Sequence, residues 1–223
     1  MIDWPTDIES ARKVQDELRS RVRLGDDSLE PAVIAGVDVS YNIESNLTRA
    51  FIVLMKPGEL KPLASVMAEL PTTFPYIPGF LSFREIPAIL AAVEKLPQKP
   101  DLYMIDGQGI AHPRRLGIAA HLGVLLDMPT IGVAKSRLYG RHDPVGPNAG
   151  DAVPLYDKDE IIGFVLRSKT GCNPLYISAG HRITQTHALD VVRVCLTKYR
   201  LPEPTRLADK LSKEKPAMKG GLL

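Results

Sequence analysis

Three carboxylates in this chain stand where carboxylates are costly. Asp38, in VIAGVDVSY, interrupts an apolar run that reads as a buried strand. Such a group must be paired, protonated or bound to a cation to offset its lost hydration. Asp106 repeats the pattern in LYMIDGQG, where an apolar strand runs into an acid followed by Gly107 and Gly109. Those glycines leave room for a substrate backbone or base, and ligands of α/β sheets gather at strand ends. Glu85, in LSFREIPAIL, is a third acid, facing inward at the start of a helix. Each has an ordinary structural alternative. Asp38 could be a hydrogen-bonded core aspartate, Asp106 a turn stabiliser, and Glu85 a complement to the helix macrodipole. Two acids at the ends of separate central strands fit those alternatives less well than one. Three carboxylates without clustered Cys or His suit a hard cation, Mg²⁺ or Mn²⁺. Such ions activate water and stabilise the charge of an in-line phosphoryl displacement.

Cations lie close to these acids in sequence. Lys135 directly follows the apolar run TIGVA, and VAKSRLYGR adds Arg137 and Arg141. AHPRR places His112, Arg114 and Arg115 soon after Asp106. A cation at a strand end could neutralise a phosphate, although a charge run is more often a solvated face. His112 is the stronger candidate for a catalytic histidine, because it sits in a loop beside the acid. His121, in a helix between Ala and Leu, reads as a core or half-buried residue. In PYIP, Pro75 and Pro78 stiffen the chain around Tyr76 and Ile77. A rigid ring there could stack on a base or wedge between two, while a tyrosine packed under the turn is the common alternative.

Positioning these residues requires a mixed sheet. A first helix carries the stripe Ile8, Ala11, Val14, Leu18 and Val22, with Thr6 and Glu9 as a capping box and Gly25-Asp26-Asp27 as its end. Three strand-like runs follow, Val33 to Tyr41, Arg49 to Lys56 and Leu60 to Leu70, joined by short polar links that suit antiparallel neighbours. Pro87 can open a helix running to Leu96. Asp101 to Ile105, Leu116 to Asp127 and Thr130 to Ala134 then read as strand, helix and strand, with parallel pairing. Residues from about 140 to 153 read as a loop, and Ile161 to Arg167 and Leu175 to Ser178 as further strands. A last amphipathic helix carries Leu189, Val192, Leu196 and Tyr199, and a short polar helix follows Pro202. The order predicts an α/β protein of ribonuclease H-like fold. Its central mixed β-sheet has three antiparallel strands then parallel strands, and is flanked by helices.

Composition narrows the class. The 223 residues are 44% hydrophobic and 24% charged, enough for one sizeable core. We expect a single domain over residues 1–215 and a disordered tail at 216–223. A net charge of +2 permits a nucleic-acid partner without requiring one. Cys172 and Cys195 lack metal-ligand spacing and read as free thiols of a reducing compartment. No signal peptide, transit peptide or membrane-length apolar run is present, so a cytoplasmic monomer that does not engage membranes is expected.

Taken together, GVDVSY, PYIPGFLSFRE, KPDLYMIDGQGIAHPRRLGIAAHLG, PTIGVAKSRL, GHRI and LPEPTRLAD resemble the endonuclease V family over most of the chain. The resemblance implies a Mg²⁺-dependent repair endonuclease for DNA containing deoxyinosine, cutting the second phosphodiester bond 3′ to the lesion. It implies that Asp38, Asp106 and Glu85 are metal-binding and catalytic carboxylates, that Lys135 is the active-site lysine, and that His112 joins them. Tyr76, within Pro75, Ile77 and Pro78, corresponds to the aromatic wedge, and Arg114 is placed with the nucleic-acid-binding residues. Gly79, Leu81, Gly107, Gly109, Gly117 and Ile118 correspond to the pocket for the extruded base. Some members carry a histidine near the metal where this chain has Asp209, which is left outside the core site. The alternatives are an inosine-specific endoribonuclease of the same fold, acting on inosine-containing RNA, and a catalytically silent nucleic-acid-binding module.

Overall fold

The computed structural model of the chain describes residues 4–25 and 27–214, so the tail expected at 216–223 lies outside the described residues, as does Asp26. α1 (Ile8–Arg19) buries Ala11, Gln15 and Leu18. Its cap is Asp7 rather than Thr6, because the Asp7 carboxylate accepts from the Ser10 N–H at 2.9 Å. The helix stops at Arg19, well before the glycine expected to end it.

β1 (Ile34–Asn42), β2 (Leu47–Met55) and β3 (Pro62–Pro71) form the expected antiparallel meander. α2 (Leu81–Val93), β4 (Leu102–Ile105), α3 (Ile118–Leu126) and β5 (Thr130–Ala134) follow. β4 pairs parallel with β1, and β5 parallel with β4. β6 (Ala152–Asp157), β7 (Glu160–Leu166) and β8 (Leu175–His181) complete an eight-stranded sheet of order β3-β2-β1-β4-β5-β8-β7-β6. This mixed sheet, flanked by helices, is the ribonuclease H-like architecture. β6 lies partly in the stretch read as a loop. It is an edge strand whose one neighbouring strand in the sheet is β7, with a single further bridge from Tyr156 to Arg141, so it tolerates Pro154 and does not read as a continuous apolar run.

Strand alternation divides the interior into two cores. Ile34, Leu102 and Met104 pack with Ala188, Leu189 and Val192 of α4 (Gln185–Val194). Ala35, Val37, Tyr103 and Ile105 face the other way, onto Ile86 and Ile89 of α2 and Ile118 and Leu122 of α3. Two local features then fix the helices that reach the strand ends. α2 begins six residues before Pro87, which lies inside the helix rather than opening it. Proline cannot donate to the carbonyl one turn back, and the Trp4 indole Nε1–H donates to that carbonyl, Phe83 O, at 2.6 Å. Trp4→Phe keeps a ring against Phe83 but deserts this acceptor. Urea unfolding should show a loss of about 1–3 kcal/mol with an unchanged slope, and a neutral substitution would refute the role of the indole.

α5 (Glu203–Lys213) lies across β1. The approach is possible because position 36 is glycine: a Cβ there would stand 2.1 Å from the backbone carbonyl of Pro204. This contact, far apart in sequence, sets where the rest of α5 can reach.

Candidate active site

The pairing of β1 with β4 ends where β4 ends, while β1 runs on to Asn42 against β2. Val37 and Ile105 are their last paired residues, and the Asp106 N–H donates to Val37 O at 3.0 Å. The next residues on these parallel strands, Asp38 and Asp106, therefore stand side by side. Lys135 follows the last residue of β5, the neighbour of β4. From above, α5 brings in Asp209. Ligand oxygens of Asp38, Asp106 and Asp209 lie within 4.8 Å of one another, an arrangement able to hold a metal ion. Lys135 Nζ bridges the group, 2.5 Å from Asp106 Oδ2 and 2.6 Å from Asp209 Oδ1. Among the described residues Glu85 stands outside this close trio, in α2 on the opposite face of the sheet.

The charges are unequal to their surroundings. Burial, then the adjacent Asp106, raises the Asp38 pKa against an opposing hydrogen bond from Ser212. Glu85 is pushed up to about 8 by burial and then by Asp38 and Asp106. Burial works against the Lys135 ammonium, but Asp106 and Asp209 outweigh it and hold its pKa above the ordinary value. Burial also opposes ionisation of Asp209, yet hydrogen bonds from Lys135 and Lys213 leave its pKa lowered. Oxygen donors in excess of the one bridging ammonium fit a hard divalent ion.

Glu85 gives this a sign. Its folded pKa lies above its unfolded one, so its contribution to stability is fully present below about 4.5 and is lost as pH rises through about 8. A divalent ion held by the neighbouring carboxylates would offset that loss. Thermal melts should show Mg²⁺ stabilising the protein more at about pH 8.5 than at about pH 6, and Glu85→Gln should flatten the difference. A Mg²⁺ increment equal at both values would contradict the coupling.

These groups form one side of a cavity of about 560 Å³. Gly79, Leu81, Gly107, Gly117 and Ile118 line it, as does Pro78. Tyr76 stands at its edge with 68% of its surface exposed, rather than packing beneath the turn. The Arg84 guanidinium lies 5.9 Å from the Tyr76 ring and 3.6 Å from that of Tyr41. Ile77 anchors the turn against buried Phe74, Phe80 and Phe83, and Pro75 is exposed.

Three residues sit differently from the sequence reading. Gly109 does not line the cavity: it is buried, and a Cβ would stand 2.3 Å from Ala179 O. Arg114 turns inward, donating to Gly79 O at 2.7 Å and to Gln15, with its guanidinium 4.2 Å from the Phe80 ring. Its partners are protein groups because Gln15, buried in α1, supplies an acceptor that the helical stripe does not reveal. His112 lines the cavity but is buried, with its pKa pushed down to about 4 by burial and by Arg114. Its Nδ1 accepts from the Arg114 N–H at 3.1 Å, and the ring also hydrogen-bonds to the Gly79 backbone. It is therefore neutral at pH 7 and braces the turn. Other basic residues of these segments are also engaged: Arg115 pairs with Asp157 and Glu160, and Arg141 donates to Lys158 O.

The family model for endonuclease V matches residues 16–210, which include Asp38, Glu85, Asp106, Lys135 and Asp209. The chain belongs to the endonuclease V family. Endonuclease V of Rippkaea orientalis is 56% identical over 95% of this chain and 92% of its own length. A crystal structure of endonuclease V from Streptomyces avermitilis shares 43% identity at a TM-score of 0.90, covering 96% of this chain and 94% of that one. Endonuclease V from Ciona intestinalis, solved with a DNA containing an inosine followed by a ribo-adenosine, shares 27% identity at a TM-score of 0.81, with 92% and 95% covered. As a member of this family, the protein is a nuclease.

Asp209, Ser212 and Gln108 are site residues that sequence reasoning placed outside the core or passed over. Asp209, Ser212 and Lys213 share one face of α5 at helical spacing, a signal that becomes useful only once that face is known to cover β1. Among the described residues, no helix is long and apolar enough to cross a membrane.

Proposed function

We propose that this protein is a Mg²⁺-dependent endonuclease for DNA containing deoxyinosine, hydrolysing the second phosphodiester bond 3′ to the lesion. The observation that carries the reading is the close trio Asp38, Asp106 and Asp209, bridged by Lys135, at the wall of a cavity edged by an exposed Tyr76. Mg²⁺, or Mn²⁺ in its place, would be held by these three carboxylates with Glu85 nearby, and would supply charge neutralisation and an activated water. The ammonium of Lys135 faces the scissile phosphate. The base lodges against Gly79, Leu81, Gly107, Gly117 and Ile118, where backbone groups meet the O6 acceptor and N1–H donor of hypoxanthine. His112 and Arg114 hold the turn that carries Tyr76. The chain acts as a cytoplasmic monomer, and its free thiols, Cys172 and Cys195, suit a reducing compartment.

Initial rates on matched inosine DNA and inosine RNA, with adenine controls, test the substrate. DNA should be cut faster. Faster cleavage of RNA would favour the endoribonuclease, and binding of all substrates with cleavage of none would favour the silent module. Ca²⁺, larger and more loosely coordinated, should support binding with little turnover.

Tyr76 supplies a further expectation. Extruding a base costs a few kcal/mol of unstacking, and an inserted ring recovers about 1–3 kcal/mol. Tyr76→Ala should weaken binding of inosine in duplex DNA by about ten- to a hundredfold, with a smaller loss in single strands, where no gap opens. Tyr76→Phe should be mild. Equal losses on both substrates together with a lowered melting temperature would refute the wedge.

A further inference from the structure

A second cavity, of about 710 Å³, opens beside the carboxylates. It meets the first at Lys135, Asp209 and Lys213, which line both. Its remaining wall carries Tyr199, Arg206 and Lys210. Tyr199 is 43% exposed, a large ring at the surface. The Arg206 guanidinium lies 4.4 Å from the ring centroid, held there by Glu203, and Lys198 Nζ lies 5.5 Å from it. Arg206, Lys210 and Lys213 follow one another at helical spacing along α5. Lys210 meets Glu214 only at 3.8 Å between exposed side chains, a contact that solvent weakens. An exposed ring among cations beside a phosphodiester-cutting centre is the chemistry of a single-strand track, where rings stack on bases and cations follow phosphates.

Direction follows from the proposed function, on which this inference rests. If the lesion occupies the first cavity and the cut falls one nucleotide beyond, the strand runs 5′ to 3′ from the base pocket to the carboxylates. Its continuation must leave past Asp209. We infer that the second cavity is a subsite for the strand 3′ of the scissile phosphate, with Tyr199 stacking on a base and Lys210 and Lys213 meeting the backbone. Tyr199 and Lys210 are positioning residues: they fix the register of the strand at the carboxylates without touching the reacting atoms.

The test uses inosine oligonucleotides whose 3′ arm beyond the cut is either short or long, with Mg²⁺. For the wild-type protein, lengthening the arm from about two to about ten nucleotides should raise kcat/KM about tenfold. In the Tyr199→Ala, Lys210→Ala double variant the gain should shrink to about twofold, and the salt dependence on the long arm should become shallower. Tyr199→Phe keeps the ring and should keep most of the gain. A double variant that loses the same factor on both arms, or nothing on either, overturns the subsite, as does a wild-type protein indifferent to arm length. Failure of the wild-type protein to cut any inosine substrate would instead overturn the proposed function, and the subsite with it.

Discussion

Replacing Asp38 or Asp106 by Asn is expected to lower the single-turnover cleavage rate by about 10³-fold or more while leaving the fold intact. Both side chains stand just beyond the last parallel pair of β1 and β4, so the isosteric amide fits the same space. What disappears is charge. Asp38 is costly to ionise in the free protein, because it is buried and beside Asp106. Asp38→Asn should therefore unfold no more easily than wild type above neutral pH without metal, and Mg²⁺ should stabilise it less. An Asn variant at either position that cuts within about tenfold of wild type would make that aspartate structural.

Lys135→Ala should lower the maximal rate by about 10²-fold or more and leave the affinity within a few-fold. The ammonium lies within hydrogen-bonding distance of Asp106 and Asp209, on the strand end facing the cavity, so it meets charge that develops during reaction more than charge present on binding. A docking role predicts the reverse: weaker affinity, a shallower salt dependence and an unchanged maximal rate. Single-turnover rates across salt concentrations decide between them.

Most of the frame and half of the site were legible in the residues. Asp38 and Asp106 could be read because each breaks an apolar strand, and a charge in such a run needs a reason. The parallel pairing of β4 with β5 follows from strand-helix-strand order, whereas the pairing of β1 with β4 that brings the two acids together does not. Asp209 was not legible as a member of the trio. Its place depends on α5 lying over Gly36, a contact spanning most of the chain, and nothing local to LADK reports it. The partners of Arg114 are hidden in the sequence for a similar reason. A loop arginine looks solvated until Gln15, Gly79 and Phe80 are brought to it by three separate elements. Pro87 reads as a helix start, yet Trp4, far upstream, satisfies the carbonyl that proline leaves open. The misplaced features share one cause: the deciding partner lies far away in sequence.

This carboxylate cluster is expected to cut an inosine-containing strand at a fixed offset with a divalent metal. Mapping the nick at single-nucleotide resolution tests it, on end-labelled duplexes that differ only in inosine or adenine at one position. The expected result is a nick at the second phosphodiester 3′ to inosine, none at adenine, abolished by excess EDTA and restored by Mg²⁺. Cleavage that ignores the base, falls at other bonds or persists in EDTA would contradict it.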